Sequence, residues 1–433
     1  MPERTKAERD LLAKAAEVFP GGYTGNLALD DAHRFIIKGG KGSKVWDVSG
    51  NEYIDYLNGS GPMVLGHAHP AVVAAVVAAA EQGSTFFATN EQAVLLAEEV
   101  VKAVPCADKV RFTTSGTDAD LQCMRIARGY RRRDKILKFE GGYHGTSEYG
   151  LMSIFPRPDQ LPEYPEPVAN SAGIPSVIGE TVLVAPFNDI ETTTAIIETH
   201  HDELAGVIVE PMQRILAPKP GFLQALRDAT AQYDIPLIFD EVVTGFRLAY
   251  GGAQEYYGVT PDLASYGKIV GGGHPLAVVA GRDDLMSTYD SSMVDPDSYI
   301  PQIGTLNGNT VACAAGLATL AEMRREGAYE RLHGTGRKLR DALERLCGEA
   351  GIAMQPSGED VMFGIYFSDR PMVNYRDTLL ADSAMMASFN TTLLEEGILK
   401  SLPDKFYPSL AITDEDVDRT IEVFSHAIDK LAG

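Results

Sequence analysis

The chain has 433 residues and a formal net charge of −22 at pH 7, with 45% hydrophobic and 23% charged residues. This composition is typical of a soluble globular protein, and the length favours two domains over one. An acidic surface repels nucleic acids and anionic membranes, so neither is an expected partner. The four cysteines lack metal-ligand spacing and the N-terminus lacks an apolar signal segment. Both features predict a cytoplasmic protein with reduced thiols.

The N-terminal part is predicted to contain a helix followed by a hairpin. Residues 3–19 have helical spacing of apolar side chains, which ends at a Pro-Gly-Gly sequence. Residues 45–48 and 53–56 read as two short strands, and the intervening Ser-Gly-Asn-Glu is a turn signal.

Apolar strands and helical patterns then alternate from about residue 70 to residue 311. Strands that are apolar on both faces and separated by helices indicate a largely parallel sheet covered on both sides. Ligands of such sheets lie beyond the carboxyl ends of the strands. The clearest predicted strands are residues 110–112, 135–139, 206–209 and 236–239.

The pattern changes after residue 310. Helical stretches over residues 312–323 and 339–350 precede a strand at 361–366 and a last helix, which Thr413 and Asp416 are spaced to cap. We therefore expect a small α+β domain that packs with the N-terminal segment. The predicted bounds are residues 1–60 for the N-terminal segment, residues 61–310 for the large domain and residues 311–433 for the small domain.

Residues 155–180 are rich in proline and too long for an ordinary connection. They predict either a functional lid or a disordered insert.

Two strand ends carry residues that suit pyridoxal phosphate chemistry. Lys268 follows the apolar residues 262–267 and precedes three glycines, and Asp240 follows the apolar residues 235–239. A lysine forms an imine with the cofactor aldehyde, and an aspartate keeps the pyridine nitrogen protonated. The alternative is a solvated surface lysine and a helix-capping aspartate.

The loops after two other strands could contact the same ligand. Ser115, Gly116 and Thr117 lead into a helix, whose N-terminus favours an anion such as phosphate, although a plain helix cap is the alternative. Tyr143 could stack on a flat ring or be a structural tyrosine, and His144 could be a core histidine.

Other ligand classes fit less well. Residues 39–44 lack the spacing and context of a P-loop, and no dinucleotide-binding glycine motif follows a predicted strand. His67 and His69 have no further ligands near them in sequence, so no metal site is predicted.

The order of these motifs resembles the class III aminotransferases of the fold-type-I pyridoxal phosphate superfamily. Among these enzymes the chain is most similar to the glutamate-1-semialdehyde 2,1-aminomutases. The resemblance runs nearly the whole chain, and its motifs are Ser115-Gly116-Thr117, Gly142-Tyr143-His144-Gly145, Val209-Glu210-Pro211, Phe239-Asp240-Glu241-Val242, Gly267-Lys268-Ile269-Val270 and Gly304-Thr305-Leu306-Asn307.

The resemblance implies a mostly parallel seven-stranded sheet flanked by helices, with a smaller α+β domain. It implies that Lys268 is the imine lysine and the proton-transfer base, and that Asp240 pairs with the pyridinium nitrogen. The remaining cofactor contacts that it implies are Ser115, Gly116 and Thr117 at the phosphate, Tyr143 and Val242 on opposite ring faces, and His144 and Glu210.

The resemblance also implies an assembly. In this family Gly304 and Thr305 reach the phosphate of the neighbouring subunit, so a homodimer with shared active sites is expected. The proline-rich residues 155–180 correspond to a gating loop.

Three positions depart from the aminomutase pattern. Ala28 stands where those enzymes have a carboxylate-binding arginine, and Ser60 stands where they have a tryptophan, which opens the substrate pocket. Ile215 replaces an asparagine near the cofactor's phenolic oxygen, where Gln213 could substitute. These changes favour a bulkier or less acidic amine, although Arg34, Lys400 or Lys405 could restore a carboxylate site.

The predicted function is therefore a transaminase that moves an amino group between an amine or amino acid and a carbonyl acceptor. The alternatives are an aminomutase that forms a tetrapyrrole precursor from glutamate 1-semialdehyde, and a non-catalytic family member.

Overall fold

The structure, a computed structural model, describes residues 4–403 and 405–433. The chain divides into two compact units. The smaller unit comprises the chain up to Pro70, Glu326–Pro371 and Leu380–Gly433, and the larger comprises Ala71–Arg325 and Met372–Leu379. Among the described residues, no helix has the length and apolar character needed to cross a bilayer.

The strands are numbered in chain order. Their bounds are β1 Ile37–Lys41, β2 Lys44–Asp47, β3 Glu52–Asp55, β4 Lys109–Thr113, β5 Lys135–Phe139, β6 Val182–Ala185, β7 Leu204–Val209, β8 Leu237–Glu241, β9 Leu263–Tyr266, β10 Ala277–Gly281, β11 Gln355–Glu359, β12 Met362–Tyr366 and β13 Ile398–Leu399.

The helices are numbered in the same way. They are α1 Lys6–Val18, α2 Pro70–Glu81, α3 Glu91–Ala103, α4 Gly116–Arg131, α5 Ile190–His200, α6 Phe222–Gln232, α7 Gly252–Tyr257, α8 Asp283–Met286, α9 Thr310–Met323, α10 Ala328–Glu349, α11 Tyr375–Thr378, α12 Ser383–Glu395 and α13 Asp414–Ala432.

The larger unit is built on a seven-stranded sheet within the described residues, in the order β4-β10-β9-β8-β7-β5-β6. β5 to β9 pair in parallel, and β10 runs antiparallel to both β4 and β9. The residues of β6 to β10 are all buried, as expected for strands covered on both faces. The predicted mostly parallel sheet is confirmed.

The smaller unit contains mixed secondary structure. β1, β2, β3 and β13 form one sheet, β11 and β12 form a hairpin, and α10, α12 and α13 pack over a separate apolar core. The predicted β2–β3 hairpin is confirmed, and the last helix begins with the expected capping box of Thr413 and Asp416.

The domain bounds differ from the prediction in three places. Residues 61–70, predicted in the large domain, belong to the smaller unit. Helix α9 belongs to the larger unit, because it packs against α3 and the short turn at Lys268–Gly271. The contact is close: a Cβ on Gly316 of α9 would lie 2.1 Å from the carbonyl oxygen of Val270. The third difference is residues 372–379, which also belong to the larger unit.

Residues 372–379 hold the proline-rich segment 155–180 in a defined conformation. Arg376 donates to both carboxylate oxygens of the buried Glu140, at 2.7 and 3.0 Å, and to the carbonyl oxygen of Pro162 at 2.7 Å. The Tyr164 hydroxyl also donates to Glu140 at 2.7 Å, and the Tyr375 hydroxyl donates to the Pro156 carbonyl at 3.0 Å. The alternative of a disordered insert was therefore wrong.

Candidate active site

Lys268 and Asp240 lie at the same edge of the large sheet. β8 and β9 are parallel neighbours, and Asp240 is paired with Ser265, three residues before Lys268. The carboxyl ends of both strands therefore meet where parallel sheets bind their ligands. Lys268 has a left-handed φ of 52°, which is uncommon for a side chain with a Cβ.

The Lys268 amine is in an environment that favours its neutral form. Burial, together with the positive charges of Arg214 and Arg247, lowers its pKa from 10.5 to about 8. Asp240 and Glu210 act in the opposite direction. A neutral amine is the form that attacks a carbonyl or removes a proton.

Asp240 is buried and held by neighbouring groups. Its Oδ1 accepts a hydrogen bond from the Val242 backbone N–H at 3.1 Å, and its Oδ2 lies 2.8 Å from Nδ1 of the buried His144. Because an ionised carboxylate only accepts hydrogen bonds, Nδ1 is the donor when Asp240 is charged. Nε2 of His144 is buried and has no hydrogen-bond partner among the described residues.

A second buried carboxyl group, Asp120, lies beside Asp240 and was missed from the sequence. One polar atom from each of Asp120, His144 and Asp240 lies within 4.8 Å of the others, and the Ser265 hydroxyl donates to Asp120 Oδ1. Burial raises the pKa of Asp120 well above its usual value, and the Asp240 charge raises it further. Its position four residues after Gly116 places both on one face of α4, which was the available signal.

The loop before α4 forms the expected helix N-terminus. The Ser115 hydroxyl accepts from the Asp118 N–H and so caps α4, while the binding of phosphate by this loop stays a prediction. A Cβ on Gly116 would lie 2.9 Å from the Val242 methyls, and one on Gly267 would lie 3.1 Å from them. Val242 therefore lies between the loop before α4 and the residue preceding Lys268.

Tyr143 and Glu210 are joined on another side of the site. The Tyr143 N–H donates to Glu210 Oε2 at 3.0 Å, and the Arg214 guanidinium carbon lies 5.4 Å from the centre of the Tyr143 ring. Arg214 was not singled out from the sequence, because the turn that carries it is evident only in the structure.

The other predicted residues are placed as follows. Gly304 is half-buried and Thr305 is exposed, in a segment of the larger unit that precedes α9. Ala28 and Ser60 are exposed residues of the smaller unit, and Ala28 lines a cavity of about 310 Å³ there together with Lys400. Their contacts with cofactor or substrate remain predictions.

The residues present fit pyridoxal phosphate. The α4 N-terminus offers backbone N–H groups to a phosphate, in a chain whose net charge of −22 provides no basic field. Gly116 leaves room beside Val242 that a larger residue would fill. Asp240 offers a carboxylate to a ring nitrogen, and Lys268 offers an amine to an aldehyde.

Comparison with known proteins agrees with this geometry. The family model described as aminotransferase class-III matches residues 28–428. The chain belongs to the class III aminotransferase family. This confirms the predicted fold class, the enzyme class and pyridoxal phosphate as the cofactor.

Three relatives illustrate the similarity. The chain is 39% identical over 429 residues to a protein named glutamate-1-semialdehyde 2,1-aminomutase 2 from Brevibacillus brevis, covering 97% of both chains. The crystal structure of an omega-transaminase from Sphaerobacter thermophilus matches with a TM-score of 0.92 and 35% identity over 100% of this chain and 99% of the other. A transaminase solved with PLP bound matches with a TM-score of 0.90 and 30% identity over 100% and 99%.

Proposed function

We propose that this enzyme is a transaminase that exchanges an amino group between an amine or amino acid and a separate carbonyl acceptor. The observation that carries the proposal is the position of Lys268 and Asp240 at the ends of two adjacent strands. The pKa of the Lys268 amine is lowered to about 8 there. Bound pyridoxal phosphate supplies a ring that stabilises negative charge on the substrate carbon next to the nitrogen.

The chain's own residues provide binding and proton movement. The Lys268 amine moves the proton on that carbon, since it is near its pKa at neutral pH. Asp240 holds the proton of the ring nitrogen, and His144 and the Val242 N–H fix the direction of its carboxylate. The phosphate is bound by Ser115, Gly116 and Thr117. The cofactor ring lies between Tyr143 on one face and Val242 on the other. Glu210 accepts from the Tyr143 N–H and so holds that loop in place.

An aminomutase is the second candidate, and the 39% identity to a protein of that name supports it. A transaminase needs two substrates and shows ping-pong kinetics, whereas an aminomutase converts glutamate 1-semialdehyde without an acceptor. We expect turnover with amino donors in the presence of a separate oxo-acid or aldehyde acceptor, measured by product formation over a donor and acceptor panel. Turnover of glutamate 1-semialdehyde alone would instead establish the aminomutase.

The proposed assembly is a homodimer in which Gly304 and Thr305 approach the partner's phosphate site. The larger unit exposes apolar side chains on α2 and around residue 303, which water disfavours and a second copy would cover. Val73 is 46% exposed, Val77 51% and Ile303 84%.

We expect the double variant Val73→Arg with Val77→Arg to shift the protein from dimer to monomer in light scattering, because it places charges in the buried contact. Ile190→Arg changes an exposed residue at the start of α5 and is the matched control. A wild-type monomer, or a dimer unaffected by the double variant, would contradict this interface.

A further inference from the structure

Arg214 occupies a tight turn between β7 and α6 in a conformation that its residue type rarely adopts. The Leu216 N–H donates to the Gln213 carbonyl oxygen at 2.7 Å and closes the turn. Arg214 has a φ of 57°, in the left-handed region that favours glycine. Such conformations are enriched at ligand-binding sites, so an arginine there calls for an explanation beyond the turn itself.

Two neighbours orient the Arg214 guanidinium. It lies over the Tyr143 ring, 5.4 Å from the ring centre, and its Nη1 is 3.7 Å from Glu210 Oε1. That ion pair is longer than a charge-assisted hydrogen bond of about 2.7–2.9 Å. The Arg214 side chain is 33% exposed, so a small molecule can reach it from solvent.

The positive charge of Arg214 also acts on the Lys268 amine. After burial, its charge is the largest influence that lowers the pKa of Lys268. It thus places a permanent positive charge near the amine and beside the tyrosine expected to cover the cofactor ring. Because the chain has a net charge of −22, this local positive charge attracts a small anion that the rest of the protein repels.

We infer that Arg214 binds the carboxylate of the substrate, so that this enzyme acts on amino acids in preference to amines without a carboxylate. The inference rests on the proposed transaminase function and identifies its substrate class. A planar guanidinium binds a carboxylate through two parallel hydrogen bonds, and the Tyr143 ring and Glu210 hold it ready for that contact. The preference for a less acidic amine, expected from Ala28 and Ser60, is reversed.

The test compares donors that differ only in the carboxylate. The pairs are alanine with ethylamine, and 3-amino-3-phenylpropanoate with 1-phenylethylamine. We expect the wild type to prefer the carboxylate-bearing member of each pair. Arg214→Gln should reduce kcat/KM for that member by about 10- to 100-fold more than for the other, because any effect of the variant on the pKa of Lys268 is shared by both donors. Arg214→Lys should give an intermediate loss, since lysine keeps the positive charge but lacks the planar group that forms two parallel hydrogen bonds.

A binding measurement separates this inference from the proposed function. Calorimetry with the holoenzyme and 3-phenylpropanoate, which has no amine to transfer, should show binding that Arg214→Gln weakens by a similar factor. Arg325→Gln removes an exposed arginine elsewhere in the larger unit and should change neither measurement.

Three results would overturn the assignment: equal losses for both members of a pair, a wild-type preference for the amines, or unchanged 3-phenylpropanoate binding in Arg214→Gln. Equal losses would mean that Arg214 acts through Tyr143, Glu210 or the cofactor. If the wild type transfers no amino group from any donor, the transaminase proposal fails, and calorimetry alone still decides whether Arg214 binds a carboxylate.

Discussion

Replacing Lys268 with alanine is expected to reduce transamination by roughly 10⁴-fold, because the variant loses the group that moves the substrate proton. Steady-state kinetics with the preferred donor and acceptor measure this loss. Borohydride reduction of the wild-type holoenzyme, followed by peptide mapping, should find the cofactor on Lys268. Circular dichroism establishes that the variant remains folded.

The buried Lys138 provides the matched control. Burial lowers its pKa to about 7, but its ammonium group donates to the carbonyl oxygens of Gly142, Gly150 and Met152. Lys138→Met should therefore cost about 1–3 kcal/mol of stability by leaving those oxygens unsatisfied. The reduced cofactor should still map to Lys268. A label on Lys138, or full activity of Lys268→Ala, would contradict the assignment.

The pKa of Lys268 predicts how the rate of cofactor uptake depends on pH. Since the pKa of Lys268 is about 8, its neutral fraction falls by about tenfold per pH unit below that value. The rate at which the apoenzyme takes up pyridoxal phosphate should therefore rise with pH up to about 8 and then level off. A rise that continues to pH 10, as for an exposed lysine, would show that burial does not activate this amine.

The second large effect is expected at Asp240. Asp240→Asn replaces the carboxylate that holds the ring proton with a neutral amide, and should lower kcat by roughly 10²- to 10³-fold. Asp120→Asn should stay within about tenfold of the wild type. Burial, and then the charge of Asp240, raise the pKa of Asp120 and so favour its neutral form, and an asparagine oxygen can still accept from Ser265.

Kinetics of both variants, with the pH titration of the cofactor's visible absorbance, test this pair. The titration should shift in Asp240→Asn and remain near the wild-type position in Asp120→Asn. If Asp120→Asn is as damaging as Asp240→Asn, Asp120 carries charge in the working enzyme and its neutral state is refuted.

Much of the larger unit was predictable because its strands are apolar on both faces and alternate with helices. The reversed β10 was not anticipated, although a signal existed. Only residues 267–276 separate it from β9, fewer than the dozen or more that a parallel crossover needs. The position of α9 could not be read from periodicity, since its pattern does not reveal which core it joins.

The site was predictable where a residue follows a strand and was missed where position depends on tertiary packing. Lys268, Asp240 and Tyr143 could be singled out because each follows a predicted strand and the carboxyl ends of parallel strands converge. Asp120 lies inside a helix and Arg214 inside a turn, and neither position indicates what lies opposite it in space. Both depend on distances that only the folded chain defines.

The ion pair between Arg376 and Glu140 has a practical consequence for dissecting the protein. The chain contributes residues 372–379 to the larger unit before it returns to the smaller one at Leu380. Ending the polypeptide after Arg325 would leave the buried Glu140 carboxylate without its guanidinium and so destabilise the larger unit. Residues 155–180 would lose the contacts of Tyr375 with Pro156 and of Arg376 with Pro162 at the same time. The sheet that bears Lys268 thus depends on a piece encoded far downstream, and no single truncation point yields it intact.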